Sequence, residues 1–326
     1  MPPIAVSMGD PAGIGPEVIA KAWAAGELPP FVLVGDADAV RAVWDGPVTD
    51  VPTVAAGAAV FANALPVLHA SDAGRITPGT PDEAGARSAL AALETATRLV
   101  LDGAAAALVT GPVSKVRLYA VGFTWPGQTE FVAERCGVAA SDAVMMLAGP
   151  GLRVVPMTVH VPLADVSRRL TRDVILAKAR VTARGLRQDF GVAAPRLAFA
   201  GLNPHAGENG AIGREEIEVI APAIAALCAE GIDATGPWAA DTLFHARARA
   251  GYDAVLCPYH DQALIPLKTL HFDEGVNITL GLPIVRTSPD HGTAFDIAGK
   301  GVAEAGATIA AIRMAGEAAA RRACAP

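Results

Sequence analysis

Short apolar runs alternate with longer stretches of helical periodicity along almost the whole chain, and no other feature narrows the fold as much. Strand-length runs separated by helix-length ones build βαβ units and hence a mostly parallel α/β sheet. Residues 4–8 read as a strand. A glycine-rich turn follows over 9–15, and Pro16 is placed at the first turn of a helix reaching about residue 25, where its missing N–H costs nothing. Further strands are predicted over 31–34, 107–110, 196–200 and 254–257, and helices over 81–101, 128–136, 171–190, 215–230 and 302–322. Ser114 is placed to cap a helix of its own. Residues 144–148 and 153–159 form a predicted hairpin through Gly149-Pro150-Gly151. There is no internal repeat and no tether-like linker, so any division into lobes is made by the chain crossing between them.

The net charge of -7 argues against a nucleic-acid partner, which needs a basic face. It leaves room for a small anion, because a few cations can govern one cleft. The four cysteines lie far apart without CxxC spacing, which points to reduced thiols in a cytoplasmic protein. The N-terminus lacks the basic and apolar regions of a signal peptide, and no apolar run is long enough to span a membrane.

Residues 257–301 interrupt apolar residues with ionisable ones among many glycines and prolines, as site loops do. Lys268, Asn277 and Arg286 follow one another at loop-like intervals. A lysine, an amide and a forked arginine suit a phosphate or carboxylate. Three histidines share one context. His160, His205 and His260 each follow a strand-like run, where that run gives way to a loop. Ligands in open α/β sheets bind at the carboxyl ends of strands, so three such residues can converge on one divalent metal and leave it open positions. A single histidine of this kind is as well explained by a loop or cap; the repetition is what favours a shared role. Asp241 and Asp261 are available to orient an imidazole N–H. The turn over 9–15 has the form of an anion cradle or of a tight strand–helix joint. Neither the dinucleotide-binding glycine fingerprint nor a phosphate-binding P-loop is present.

The segments MGDPAGIGPE, GPVSK, PGQTEF, GLNPHAGENG, ADTLF, YHDQALIPLK and GVNITLGLPIVRTSPDHGTAFDIAGKG resemble the 4-hydroxythreonine-4-phosphate dehydrogenases of vitamin B6 biosynthesis, in order, from about residue 4 to 315. The closing DHGTAFDIAGKG is also similar to the adenosine-side loop of isocitrate and isopropylmalate dehydrogenases. The resemblance implies their two-lobed, three-layer α/β/α fold with the active site in the cleft between lobes. On that expectation, 1–125 with 272–326 form the nucleotide-side lobe and 126–271 the metal and dimerisation lobe.

It further implies His160, His205 and His260 as ligands of a divalent metal (zinc, cobalt or magnesium), shared across a homodimer. Gln128, Thr129, Lys268, Asn277 and Arg286 fall on substrate-binding positions. Gln128 stands where the family carries histidine, and glutamine can hydrogen-bond but cannot take up a proton. His291, Gly292 and Asp296 fall on the cofactor side, for NAD or NADP. The implied reaction oxidises the C3 hydroxyl of 4-(phosphooxy)-L-threonine, with Asp241 as candidate base, and loss of CO2 then gives 3-amino-2-oxopropyl phosphate. Two alternatives stand beside it. One is a dehydrogenase of the same family acting on a 4-phosphorylated threonate or erythronate, or on an aromatic cis-dihydrodiol. The other is a non-catalytic protein that binds metal or nucleotide.

Overall fold

The computed structural model describes residues 1–324. Contacts divide them into two compact units, 1–140 with 282–324 and 141–281. The divisions at 140/141 and 281/282 stand where the sequence reading places 125/126 and 271/272. The 126–140 segment holds to the first unit through an aromatic cluster in which Phe123, Trp125 and Phe131 pack with ring centroids 5.0–5.7 Å apart.

In the first unit the chain forms β1 (Ile4–Ser7), α1 (Gly15–Ala25), β2 (Phe31–Gly35), α2 (Ala37–Arg41), β3 (Val48–Val51), α3 (Val54–Val60), β4 (Leu65–His69), α4 (Glu83–Leu101), β5 (Leu108–Thr110), α5 (Lys115–Ala120) and α6 (Gln128–Arg135). The second unit follows with β6 (Val144–Gly149), β7 (Leu152–Pro156), α7 (Val166–Arg169), α8 (Arg172–Phe190), β8 (Arg196–Ala200), α9 (Ala221–Ala229), β9 (Asp233–Trp238), α10 (Ala246–Arg249), β10 (Ala254–Cys257), α11 (His260–His271) and β11 (Val276–Leu280). The chain then returns to the first unit for β12 (Arg286–Pro289) and α12 (Gly306–Cys324).

The first unit orders its strands β3-β4-β2-β1-β5-β12, with every recorded pair parallel. β1, β2 and β5 are buried at every position, which requires cover on both faces and explains their unbroken apolar sequences. The second unit orders its strands β11-β6-β7-β10-β8-β9. There β6 and β7 form the predicted hairpin, and β11 adds antiparallel to β6. The pairs β7-β10, β10-β8 and β8-β9 are parallel.

Helix starts follow local chemistry. The Asp82 side chain accepts from the Gly85 amide at 2.7 Å, and Thr171 accepts from Val174 at 3.3 Å. Ser114 occupies the cap position of α5 but makes no side-chain capping bond, so only the placement of that expectation holds. The stretch 257–301 is less loop-like than its sequence suggests. It contains α11, β11 and β12, so Lys268 lies on a helix and Asn277 and Arg286 on strands. α11 is held by Ala263, Leu264 and Leu267 against Leu147, Val154, Val255 and Cys257. Each of the two leucines contributes about 1.5–3 kcal/mol by burial.

Candidate active site

Two histidines meet because two strands run parallel. β7 and β10 pair through Val154/Val255 and Val155/Leu256. The ladder continues past their ends: the Met157 amide donates to the Cys257 carbonyl (2.7 Å) and the Thr158 hydroxyl to the Pro258 carbonyl (2.7 Å). His160 and His260 therefore leave the sheet side by side, with ring centroids 5.7 Å apart. Two imidazoles bonded to one cation at about 2.1 Å place their ring centroids about 5 Å apart, so the pair fits a shared divalent ion with slight closure. His260 Nδ1 lies 2.7 Å from Asp261 Oδ1. With that proton on Nδ1, the Nε2 lone pair is left for a ligand, as in carboxylate–histidine–metal sites. His160 has φ 50°, a left-handed conformation that β-unbranched residues adopt at a cost and that concentrates at functional sites.

His205 is not gathered into this pair. It lines a neighbouring cavity of about 680 Å³ with Asn203, Glu215, Asp241, Tyr259 and Gln262. The histidine pair lines one of about 250 Å³, and Leu163, Val166 and Tyr259 border both. Among the described residues no three His, Cys, Asp or Glu side chains are grouped to hold one ion. His205 opens a left-handed turn in which residues 205 to 209 have φ of 53°, 52°, 80°, 44° and 54°. Only Gly207 adopts that conformation freely; each of the other four costs about 1–2 kcal/mol. Asn203 anchors the turn. Its amide donates to Glu216 Oε1 at 2.7 Å, and its Nδ2 to Glu215 Oε2 at 2.8 Å and Glu216 Oε2 at 3.0 Å. The bond from its own backbone, and then that from Asn203, hold the Glu215 carboxyl below its ordinary range. Asp241 sits exposed in a short 3-10 turn, Ala240–Thr242.

Lys268 lies two turns along α11 from His260, a spacing that returns to one helix face. Its ammonium is 6.0 Å from the centre of the Phe272 ring. Asn277 is half-buried on β11, paired with Leu147 of β6, and its Oδ1 is buried without a hydrogen-bond partner.

The other substrate-position residues cluster in the first unit. Arg286 is 3% exposed. Its Nη2 donates to Thr110 Oγ1 at 2.7 Å and its Nη1 to Thr129 Oγ1 at 3.2 Å. The two threonines fix the plane of the guanidinium. Gln128 donates from Nε2 to the Gly111 carbonyl at 3.1 Å. That bond fixes which way the amide faces and leaves Oε1 buried without a partner, an acceptor for a hydroxyl or ammonium hydrogen.

The turn over 9–15 is a joint, not an anion cradle. The amides of Asp10, Ala12, Gly13 and Ile14 donate internally, to Pro112 O, Asp10 Oδ1, Asp10 O and Thr293 O respectively. The last of these ties the turn to the segment bearing His291, Gly292 and Asp296. Gly292 and Asp296 are exposed, and His291 Nε2 is buried without a partner. α1 clamps the far end of that segment: Lys21 donates to the carbonyls of Gly301 (2.9 Å) and Ala303 (2.7 Å), and Glu17 accepts from the Ala303 amide (3.1 Å). The sequence reading missed Thr110, Asn203, Glu215 and Glu216. The motif GLNPHAGENG carried the only signal for Asn203, and no spacing ties it to the two glutamates.

The geometry is that of the dehydrogenase-like α/β class: largely parallel strands, with a buried arginine opening β12 in one unit and a histidine pair beyond the carboxyl ends of β7 and β10 in the other. The family model described as pyridoxal phosphate biosynthetic protein PdxA matches residues 27–315, and the chain belongs to that family. It is 58% identical over 325 residues to a 4-hydroxythreonine-4-phosphate dehydrogenase of Zymomonas mobilis, covering 99% of this chain and 97% of the relative. A protein of the same description from Erythrobacter litoralis is 56% identical, covering 98% of each. The crystal structure of the Klebsiella pneumoniae 4-hydroxythreonine-4-phosphate dehydrogenase superposes with a TM-score of 0.87 at 39% identity, covering 98% of each chain. The chain is thus an oxidoreductase of pyridoxal phosphate biosynthesis, as its motifs imply. No helix of the described residues is long and apolar enough to cross a membrane.

Proposed function

We propose that the chain oxidises the C3 hydroxyl of 4-(phosphooxy)-L-threonine with NAD+ or NADP+ and one divalent cation per site, and that the resulting β-keto acid loses CO2 to give 3-amino-2-oxopropyl phosphate. The observation that carries this reading is the buried, threonine-fixed Arg286 beside Gln128, together with the histidine pair backed by Asp261. The first suits a phosphate and the second a cation.

Arg286 and Lys268 take the phosphate, one as a planar fork and the other as a point charge. Thr129, Gln128 and Asn277 supply hydrogen bonds that orient the carbon chain. His160, His205 and His260 would hold the cation, which when bound supplies positive charge beside the hydroxyl being oxidised. His291, Gly292 and Asp296 would contact the nicotinamide cofactor, which accepts the hydride. Asp241, exposed in the cavity that His205 lines, is the proposed acceptor of the hydroxyl proton. Anchoring the phosphate away from the reacting carbon uses remote binding to position it.

We further infer a homodimer with shared sites. His205 has a side chain 71% exposed on a fixed turn, as suits a ligand given to a second copy. The unpaired thiols of Cys136, Cys228, Cys257 and Cys324 fit the reducing cytoplasm.

Treatment with a chelator should abolish substrate-dependent reduction of NAD+ or NADP+, and zinc, cobalt or magnesium added back singly should restore it for at least one ion. Turnover that survives complete removal of divalent metal would overturn the reading.

A further inference from the structure

We propose that Glu216 is a positioning residue for His205, acting through Asn203. The inference rests on the reading of His205 as a metal ligand. Four non-glycine residues, two on each side of Gly207, sit in the left-handed region at a cost, and such a conformation persists where the surroundings over-determine it. The turn has the backbone bonds of a 3-10 element, and around it Ala206 N donates to Asn203 O, Ala211 N to Glu208 O and Gly207 O, and Ile212 N to Gly207 O. Glu216 supplies the outside fixture. It is 3% exposed, and its two oxygens accept from both donors of Asn203, the residue from which the turn departs.

The same carboxylate is packed into the turn. A Cβ on Gly207 would lie 2.7 Å from Glu216 Oε2, and one on Gly201 would lie 3.2 Å from Oε1 and 3.0 Å from the Ala206 Cα. Glu216 opens a π-helical turn, Glu216–Ile220, that precedes α9. Such turns are uncommon, and they re-aim side chains at functional sites. Here the carboxylate points back at the loop that precedes it.

Glutamine tests the role closely. Its oxygen can still accept from the Asn203 amide, but its NH2 would face Asn203 Nδ2, donor against donor. The metal-stripped protein should be titrated with Co2+ alone, comparing the unmodified chain with Glu216→Gln and His205→Ala. Thermal denaturation and turnover at saturating Co2+ should be recorded for each. We expect both variants to fold and to bind Co2+ about 10- to 100-fold more weakly. Saturating Co2+ should return kcat in Glu216→Gln but not in His205→Ala, a split that general destabilisation would not produce. Normal Co2+ affinity in Glu216→Gln beside weakened affinity in His205→Ala overturns the positioning role alone. Normal affinity in His205→Ala overturns the ligand reading and this inference with it. Should Glu216→Gln not fold, Asn203→Ala removes the side-chain donors while keeping the backbone amide, and is read in the same way.

Discussion

Arg286 is 3% exposed, and burial pulls its guanidinium down to about 10 while nearby Glu130 opposes the shift. At neutral pH it is a full cation; it loses its charge as pH rises through that value. Affinity for a phosphorylated substrate should therefore hold through neutrality and fall on approach to pH 10, measured as KM against pH. Arg286→Ala should raise KM by about 100-fold, on the order of 3 kcal/mol for a charge-assisted contact, with a smaller effect on kcat. An unchanged KM would remove Arg286 from the phosphate site. Gln128 adds no titration of its own, since its amide takes up no proton. It offers instead a fixed acceptor, Gln128 Oε1, held by the bond from Nε2 to the Gly111 carbonyl.

The loops that follow β1 and β5 pack backbone on backbone, and this joint positions the Gln128 side of the site. A Cβ on Gly111 would lie 2.5 Å from Met8 O and 2.6 Å from Ser7 O. Backbone atoms cannot swing aside as a side chain can, so Gly111→Ala should cost about 3 kcal/mol in chemical denaturation. A change near zero would mean the joint is softer than described. The elements around this joint were legible because β1, β2 and β5 are short apolar runs and α1 and α4 are long periodic ones. α11 was hidden. Its Pro266 and interleaved polar residues read as loop, although the apolar residues Ala263, Leu264 and Leu267 follow the helical period. β3 and β9 were missed for another reason: they sit at the ends of their strand orders, half exposed, without an apolar run to mark them. The histidine pair was legible as a repeated strand-end context. The Asn203–Glu216 anchor was not, because a buried carboxylate bonded to amides in a distant loop leaves no periodicity.

For the whole molecule, the family motifs run from the first strand to the last helix, and the comparisons cover nearly the entire chain. Its first unit carries Arg286, Gln128 and Thr129, while the histidines, Lys268 and Asn277 lie in the second. The central claim is that the chain acts on the phosphorylated substrate 4-(phosphooxy)-L-threonine, and a substrate panel tests it most directly. With NAD+, NADP+ and divalent metal supplied, formation of reduced nicotinamide should be followed with 4-(phosphooxy)-L-threonine, unphosphorylated 4-hydroxy-L-threonine and 4-phosphorylated threonate. The account predicts turnover with the first, and kcat/KM lower by about 100-fold or more for the unphosphorylated compound, which forgoes the charge-assisted contacts. Folded, metal-loaded protein that is inactive on 4-(phosphooxy)-L-threonine but active on the phosphorylated threonate would contradict it, and would mark Gln128 as the residue that redirects the site.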